Sequence, residues 1–324
     1  MAFPGTGKIW MNGQLVEWAD AKIHIASHVI HYGTGVFEGA RCYETPRGSA
    51  CFRLDAHLRR LFDSSKIYRM EPTYSFKELH KAVIDTIRAN EMKACYIRPI
   101  VYRGYSALGV NPLPNPIDTA ILLWEWGAYL GQDALTNGVD VCVSSWQRAA
   151  PNTFPTLAKT SANYANSTLI KMEAVIEGYS EGIALDTFGL LSEGSGQNLF
   201  LVRRDTLYTP PITASVLPGI TRDSVITLAK DLGFTVREEM LPREMLYIAD
   251  EAFFVGTAVE VTPIRSVDKI SIGSGRRGPI TEAIQQAFFD VVNARVEDKH
   301  GWLEYVYDGE PRQPAGAGTR TARA

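Results

Sequence analysis

Cysteine is sparse in this chain and scattered. The four residues stand at positions 42, 51, 95 and 142, with no Cys-x-x-Cys spacing. That pattern excludes a disulfide framework and a cysteine-type zinc site, and leaves thiols that read as buried in a reducing compartment. The six histidines supply no His-Glu-x-x-His pair, so no metal is expected. His24, His28 and His31 are close together, but a strand or loop would not converge them on one ion, and they read as structural. An excess of either charge is also missing: 33 basic against 36 acidic residues give −3, which leaves no electrostatic footprint for nucleic acid. No apolar stretch approaches the roughly 20 residues of a membrane helix. Met1 to Gly5 has neither a basic nor an apolar segment, so no secretory signal is expected and a cytoplasmic location follows. Without that route the sequon Asn166-Ser167-Thr168 carries no meaning. No internal repeat, Walker loop or Gly-x-Ser-x-Gly elbow occurs. Gly273-Ser274-Gly275-Arg276-Arg277-Gly278 matches a dinucleotide motif literally, but lacks the following strand and distant acid, and reads as a surface loop.

What the chain does have is length and periodicity. Its 324 residues allow about two domains, and 45% hydrophobic content is ordinary for a globular enzyme. Asn12-Gly13 between short apolar runs signals a hairpin. Helices are expected from about Asp55 to Tyr68 and from Ser75, where Glu78 completes a capping box. Strands are expected over Tyr96–Tyr102 and Ile117–Trp124. In the second half, strands are expected at Val139–Ser144, Gly182–Leu185, Leu199–Val202, Leu207–Thr209 and Phe253–Val255. The helices there should run from Ala162 to Glu177, Thr221 to Leu232 and Ile280 to Arg295. The expected class is α+β in two domains: residues 1–126 as a small N-terminal unit, 127–136 as a linker, 137–307 as a larger unit. Residues 308–324, rich in Gly, Pro, Arg and Ala, should be a disordered tail.

Three clusters carry chemistry. Lys159 lies in Asn152-Thr153-Phe154-Pro155-Thr156-Leu157-Ala158-Lys159-Thr160-Ser161-Ala162-Asn163-Tyr164, with no carboxylate within six positions. An amine without a local counter-charge can be desolvated, which lowers its pKa and yields the free amine that a Schiff base requires. Leu217-Pro218-Gly219-Ile220-Thr221-Arg222 reads as a turn into a helix whose free N–H groups suit an anion. Gly256-Thr257-Ala258 could add a second amide-lined turn. Glu193, in Ser192-Glu193-Gly194-Ser195-Gly196, sets a carboxylate between a strand and a turn. It would suit a cationic ring nitrogen, although such an acid is more often a plain turn residue.

Lysine, anion-binding helix start and lone carboxylate together are what a pyridoxal phosphate site needs. In this order they resemble the fold type IV, or class IV, aminotransferases. His31-Tyr32-Gly33-Thr34-Gly35-Val36-Phe37-Glu38-Gly39, Tyr96-Ile97-Arg98-Pro99, Ala149-Ala150-Pro151-Asn152-Thr153, Ser192 to Phe200 and Leu217 to Arg222 resemble branched-chain amino acid aminotransferases. The resemblance spans about Ile9 to Trp302. It implies pyridoxal 5′-phosphate bound covalently by Lys159, with Glu193 on the ring nitrogen and Tyr164 on the 3-oxygen. It further implies Arg60, rather than its rival Arg59, at the phosphate with Ile220, Thr221 and Thr257. For the substrate it implies aromatic walls from Phe37, Trp126, Tyr129 and Tyr164, with Gly39 beside them. Tyr96 and the Thr257-Ala258 amides would take the α-carboxylate, and Arg98 the side-chain carboxylate of glutamate. Tyr32 and the loop carrying Leu108 and Val110 would close the pocket from a neighbouring subunit, so a homo-oligomer is implied. The implied reaction is ping-pong transfer between L-leucine, L-isoleucine or L-valine and 2-oxoglutarate. D-amino acid aminotransferases, (R)-amine transaminases and aminodeoxychorismate lyase are the rivals in the fold. The Arg98–Pro112 stretch lacks the Arg-x-His pair of the first.

Overall fold

The computed structural model describes residues 5, 7–127, 130–131 and 133–307. Its strands are β1 Lys8–Met11, β2 Gln14–Glu17, β3 Gly35–Phe37, β4 Ala40–Thr45, β5 Gly48–Phe52, β6 Cys95–Arg103 and β7 Ile117–Trp124. They continue with β8 Val139–Val143, β9 Glu181–Leu185, β10 Leu191–Gly194, β11 Asn198–Arg203 and β12 Thr206–Thr209. The last are β13 Thr235–Glu238, β14 Glu251–Gly256, β15 Glu260–Val267, β16 Ile270–Ser271 and β17 Leu303–Tyr305. The helices are α1 His28–Tyr32, α2 Leu54–Ile67, α3 Phe76–Ala89, α4 Ala134–Asn137, α5 Asn163–Ile176, α6 Ile220–Asp231, α7 Met245–Ile248 and α8 Pro279–Val292. None of these helices is long and apolar enough to cross a membrane.

Local chemistry explains the ends of these elements. Asn12 and Gly13 both take positive φ, as a two-residue hairpin turn demands, and join β1 to β2. Ser75 accepts from the Glu78 amide while the Glu78 side chain returns to the Ser75 amide, closing the capping box at the start of α3. After α5, Gly178 turns into the left-handed region and ends the helix.

The strands form two sheets. In the first, the order is β17-β5-β4-β6-β7-β1-β2, with β3 also on β6, and every pairing is antiparallel. In the second, the order is β10-β9-β8-β15-β14-β11-β12-β13, with β16 on β15; β8 runs parallel to both β9 and β15. Leu58, Leu61, Leu79 and Val83 of α2 and α3 pack on Ile97 and Ile121 of the first sheet. The second sheet is covered on both faces. Phe200 and Phe253 meet α6 and α8 on one side, while Leu199 and Phe254 face a separate cluster with Leu246 on the other. Each such large apolar side chain contributes about 1.5–3 kcal/mol on burial, so both sheets have firm supports for a site.

Direct contacts tie the two sheets together. Arg41 pairs with Glu260 at 2.8 Å, and the Tyr43 hydroxyl donates to the same carboxylate at 3.1 Å. Phe52 stacks edge-on against Phe288, with 5.6 Å between ring centroids. Strands β3, β4, β5, β13, β15, β16 and β17 and the short helices α1, α4 and α7 were not anticipated. Strand β4 is covered on both faces at its start: Ala40 and Cys42 pack in the core of the first sheet, while Arg41 and Tyr43 on the opposite face meet Glu260 of the other sheet. His28 and His31 sit on α1 rather than on a strand or loop. The His28 ring bonds the Thr34 hydroxyl and the Gly109 carbonyl, both at 2.8 Å.

Candidate active site

A cleft of about 200 Å³, room for a small molecule rather than a polymer, opens where the two sheets meet, and Lys159 lines it. The lysine backbone is held from both sides: its amide donates to Ser64 Oγ of α2 at 3.0 Å, and its carbonyl accepts from the Phe37 amide at 3.0 Å. The amine is thereby aimed into the cleft. Its Nζ donates to the Tyr164 hydroxyl at 2.5 Å and lies 5.1 Å and 4.9 Å from the centres of the Phe37 and Tyr164 rings. Among the described residues no carboxylate forms an ion pair with it.

Glu193 sits in β10, not in the turn after it, and is buried. Arg148 Nη2 donates to its Oε1 at 2.8 Å; Asn198 Nδ2 and the Leu217 amide donate to Oε2 at 3.0 Å and 3.2 Å. Burial pushes its pKa above the ordinary carboxylate range; the charge of Arg148, the Leu217 amide and the charge of Lys159 oppose this without cancelling it. The sequence reading missed Arg148 and Asn198. The quoted motif Ala149–Thr153 begins one residue after Arg148, and a cation directly before that motif was the available signal.

The start of α6 lies on another side of the cleft. Its N-cap, Gly219, makes no side-chain capping bond, so the first amides of the helix are left to a ligand or solvent. Gly219 has an ordinary φ of −69°, so glycine is not needed there for the turn. A Cβ at that position would instead stand 1.9 Å from Asn198 Oδ1. Ile220, Thr221 and Thr257 all line the cleft.

Arg59 and Arg60 separate cleanly. Arg59 is exposed and pairs with Asp55, whereas Arg60 is buried and lines the cleft. The Arg60 Nη1 donates to the Pro218 carbonyl at 2.8 Å, while Nε and Nη2 grip Glu38 at 2.6 Å and 2.9 Å. His57 Nδ1 adds a bond to Glu38 at 2.7 Å. Burial alone would raise the Glu38 carboxyl, but the Arg60 charge and the His57 hydrogen bond outweigh it and hold it well below the usual range. Neither Glu38 nor His57 was singled out from sequence, because their partners become neighbours only when β3 docks on α2.

Phe37, Gly39, Tyr96, Arg98, Trp126 and Ala258 also line the cleft. A Cβ on Gly39 would meet the Tyr96 hydroxyl at 1.9 Å, so only glycine leaves that hydroxyl in place. The Arg98 guanidinium lies over Phe37, Tyr96 and Trp124, with centroid distances of 4.7, 5.4 and 5.4 Å. Aromatic faces hold it, and no carboxylate of the described residues pairs with it. Tyr32, Leu108 and Val110 are not brought to this cleft; they are exposed, Val110 at 84%. Tyr129 lies outside the described residues.

Comparison with known proteins identifies the family. Residues 35–267 match the family described as amino-transferase class IV. The branched-chain-amino-acid aminotransferase of Salmonella typhimurium (strain LT2) is 55% identical over 299 residues, 92% of this chain and 97% of that protein. A crystal structure of the Escherichia coli branched-chain amino acid aminotransferase matches with a TM-score of 0.92 and 53% identity, covering 93% of this chain and 100% of that one. The T.th. branched-chain amino acid aminotransferase complexed with N-(5′-phosphopyridoxyl)-L-glutamate matches with a TM-score of 0.89 and 45% identity, covering 93% of this chain and 99% of that one. The chain belongs to the class IV aminotransferases, and within them to the branched-chain-amino-acid aminotransferase enzymes.

Proposed function

We propose that this cleft holds pyridoxal 5′-phosphate and that the enzyme alternates between two amino donors and acceptors. One partner is L-leucine, L-isoleucine or L-valine; the other is the pair 2-oxoglutarate and L-glutamate. The observation that carries the reading is the convergence of three features on one cleft: the amine of Lys159, the under-compensated carboxylate of Glu193 and the uncapped start of α6. They fit the aldehyde, ring nitrogen and phosphate of that cofactor. When bound, pyridoxal phosphate supplies an aldehyde carbon and an electron-accepting ring for amine exchange.

The residues divide the work. Lys159 is the group that bonds the cofactor and moves the proton at the substrate α-carbon. Glu193 faces the ring nitrogen and keeps its proton there. Tyr164 bonds the ring 3-oxygen. Arg60, the Ile220 and Thr221 amides and Thr257 hold the phosphate. Phe37, Trp126 and Tyr164 are the apolar walls, with Gly39 leaving room for Tyr96. Tyr96 and the Thr257–Ala258 amides orient the α-carboxylate. Arg98 receives the distal carboxylate of glutamate, which an apolar pocket could not bury unpaired.

The exposed apolar side chains of Tyr32, Leu108 and Val110 support a homodimer or larger homo-oligomer in which a neighbouring copy closes the cleft. The two sheets would form the cores of two domains, residues 1–126 and 137–307, joined by 127–136, in a cytoplasmic enzyme. An absorption spectrum tests the reading. The visible cofactor band should bleach with L-leucine and return with 2-oxoglutarate. A band that ignores leucine but bleaches with a D-amino acid or an amine would overturn the substrate assignment.

A further inference from the structure

Between two cleft-lining residues, Phe37 and Gly39, stands a glutamate that is 0% exposed. Alternation along an extended backbone explains the placement: Phe37 and Gly39 face the cleft, and Glu38 faces the opposite way, onto α2. There it meets His57 and Arg60, three positions apart on one face of the helix. The Glu38 carboxylate accepts from Arg60 Nε at 2.6 Å, Arg60 Nη2 at 2.9 Å, His57 Nδ1 at 2.7 Å and the Gly39 amide at 3.2 Å. The Glu38 amide is itself anchored to the Pro99 carbonyl at 2.9 Å.

Such a two-point grip fixes the guanidinium plane as well as its position. Together with the bond to the Pro218 carbonyl it occupies three of the five N–H groups that an arginine carries. Arg60 therefore cannot swing away from the cleft without stripping a buried carboxylate of its arginine partner. Arg98, which lines the same cleft, has no such carboxylate grip.

We propose that Glu38, braced by His57, is a positioning residue for the cofactor phosphate. It orients Arg60 toward that phosphate and, through Phe37 and the Gly39 amide, keeps the substrate wall in register with it. The inference rests on the cofactor assignment proposed above. Its test compares pyridoxal phosphate with pyridoxal, which has the same aldehyde and ring but no phosphate. Each is titrated spectroscopically into the full-length chain stripped of cofactor, wild type and Glu38→Gln. In the variant an amide would turn N–H groups toward donors that now have a carboxylate to bond.

Wild-type protein that takes up no pyridoxal phosphate would sink the cofactor assignment itself. With wild-type uptake normal, Glu38→Gln should bind pyridoxal phosphate about tenfold more weakly or worse, while pyridoxal binding changes by less than about twofold. Equal weakening of both ligands would make Glu38 a merely structural residue, and no weakening of either would remove it from the phosphate site. Both results overturn the proposal. Should Glu38→Gln not fold, Glu38→Asp keeps the charge one methylene short. It should show a smaller loss that is still confined to pyridoxal phosphate, and a loss shared with pyridoxal would overturn the proposal.

Discussion

Two buried glutamates, each joined to an arginine, one lining the cleft and one behind its wall, behave in opposite ways. Glu38 is gripped at two points by Arg60, through Nε and Nη2, and by His57, and its carboxyl is held well below the usual range. Glu193 receives one arm of Arg148, a side-chain amide and a longer bond from a backbone amide, and burial keeps its carboxyl above that range. Burial is common to both, so the donors decide. Glu38 faces away from the cleft and its protein partners hold it ionised, so it serves the structure. Glu193 lines the cleft itself, where a cation brought by a ligand, as a protonated ring nitrogen would be, can add to what Arg148 supplies.

The largest effect should come from Lys159→Ala, which strips the Glu193 side of both its amine and one of the charges opposing burial. Turnover of leucine with 2-oxoglutarate should fall by at least about 10³-fold, and substantial residual transamination would break the assignment. Next is Glu38→Gln, which leaves Arg60 buried and uncompensated and should cost the cofactor-free protein about 3–5 kcal/mol at pH 7. Because the folded pKa of Glu38 is depressed, its stabilisation is complete above the ordinary carboxylate value of 4.5 and fades as pH falls toward the folded value. Urea melts of wild type and variant should therefore converge in acid; a gap that persists undiminished would contradict the contrast.

Glu193→Gln should reverse the balance. The leucine half-reaction should slow by about 10²-fold, while stability without cofactor drops less than in Glu38→Gln. An equal drop would erase the distinction between the two glutamates. A smaller, selective effect is expected of Arg98→Ala: about a tenfold greater loss of kcat/KM with 2-oxoglutarate than with a branched 2-oxo acid, read from paired kinetics. Arg59→Ala should do least. Its exposed pair with Asp55 is worth no more than about 1 kcal/mol, and affinity for pyridoxal phosphate should be unchanged.

The Glu193 side was far more legible in the sequence than the Glu38 side. Lys159 announced itself by the absence of nearby carboxylates, and the turn at Gly219 by its place before a periodic helix. Helices α2, α3, α5, α6 and α8 were readable from apolar residues at helical spacing, and strands β6 and β7 from runs rich in β-branched and aromatic residues. Glu38 stood inside a quoted motif, yet its role depends on His57 and Arg60, 19 and 22 residues further on. No local pattern encodes that distance. The same applies to Arg148 and Glu193, 45 residues apart, and to Arg41 and Glu260, whose pairing buries the second face of β4. Strand β15 opens on Glu260 at a φ of +55° and contains Pro263, two features that argue against a strand until its neighbours are seen.

That Lys159 is the amine carrying the cofactor is tested most directly by borohydride reduction followed by peptide mass spectrometry. Reduction of the holoenzyme should leave a single phosphopyridoxyl group, on the peptide containing Lys159. A label on another lysine, or none after loading with pyridoxal phosphate, would contradict the account.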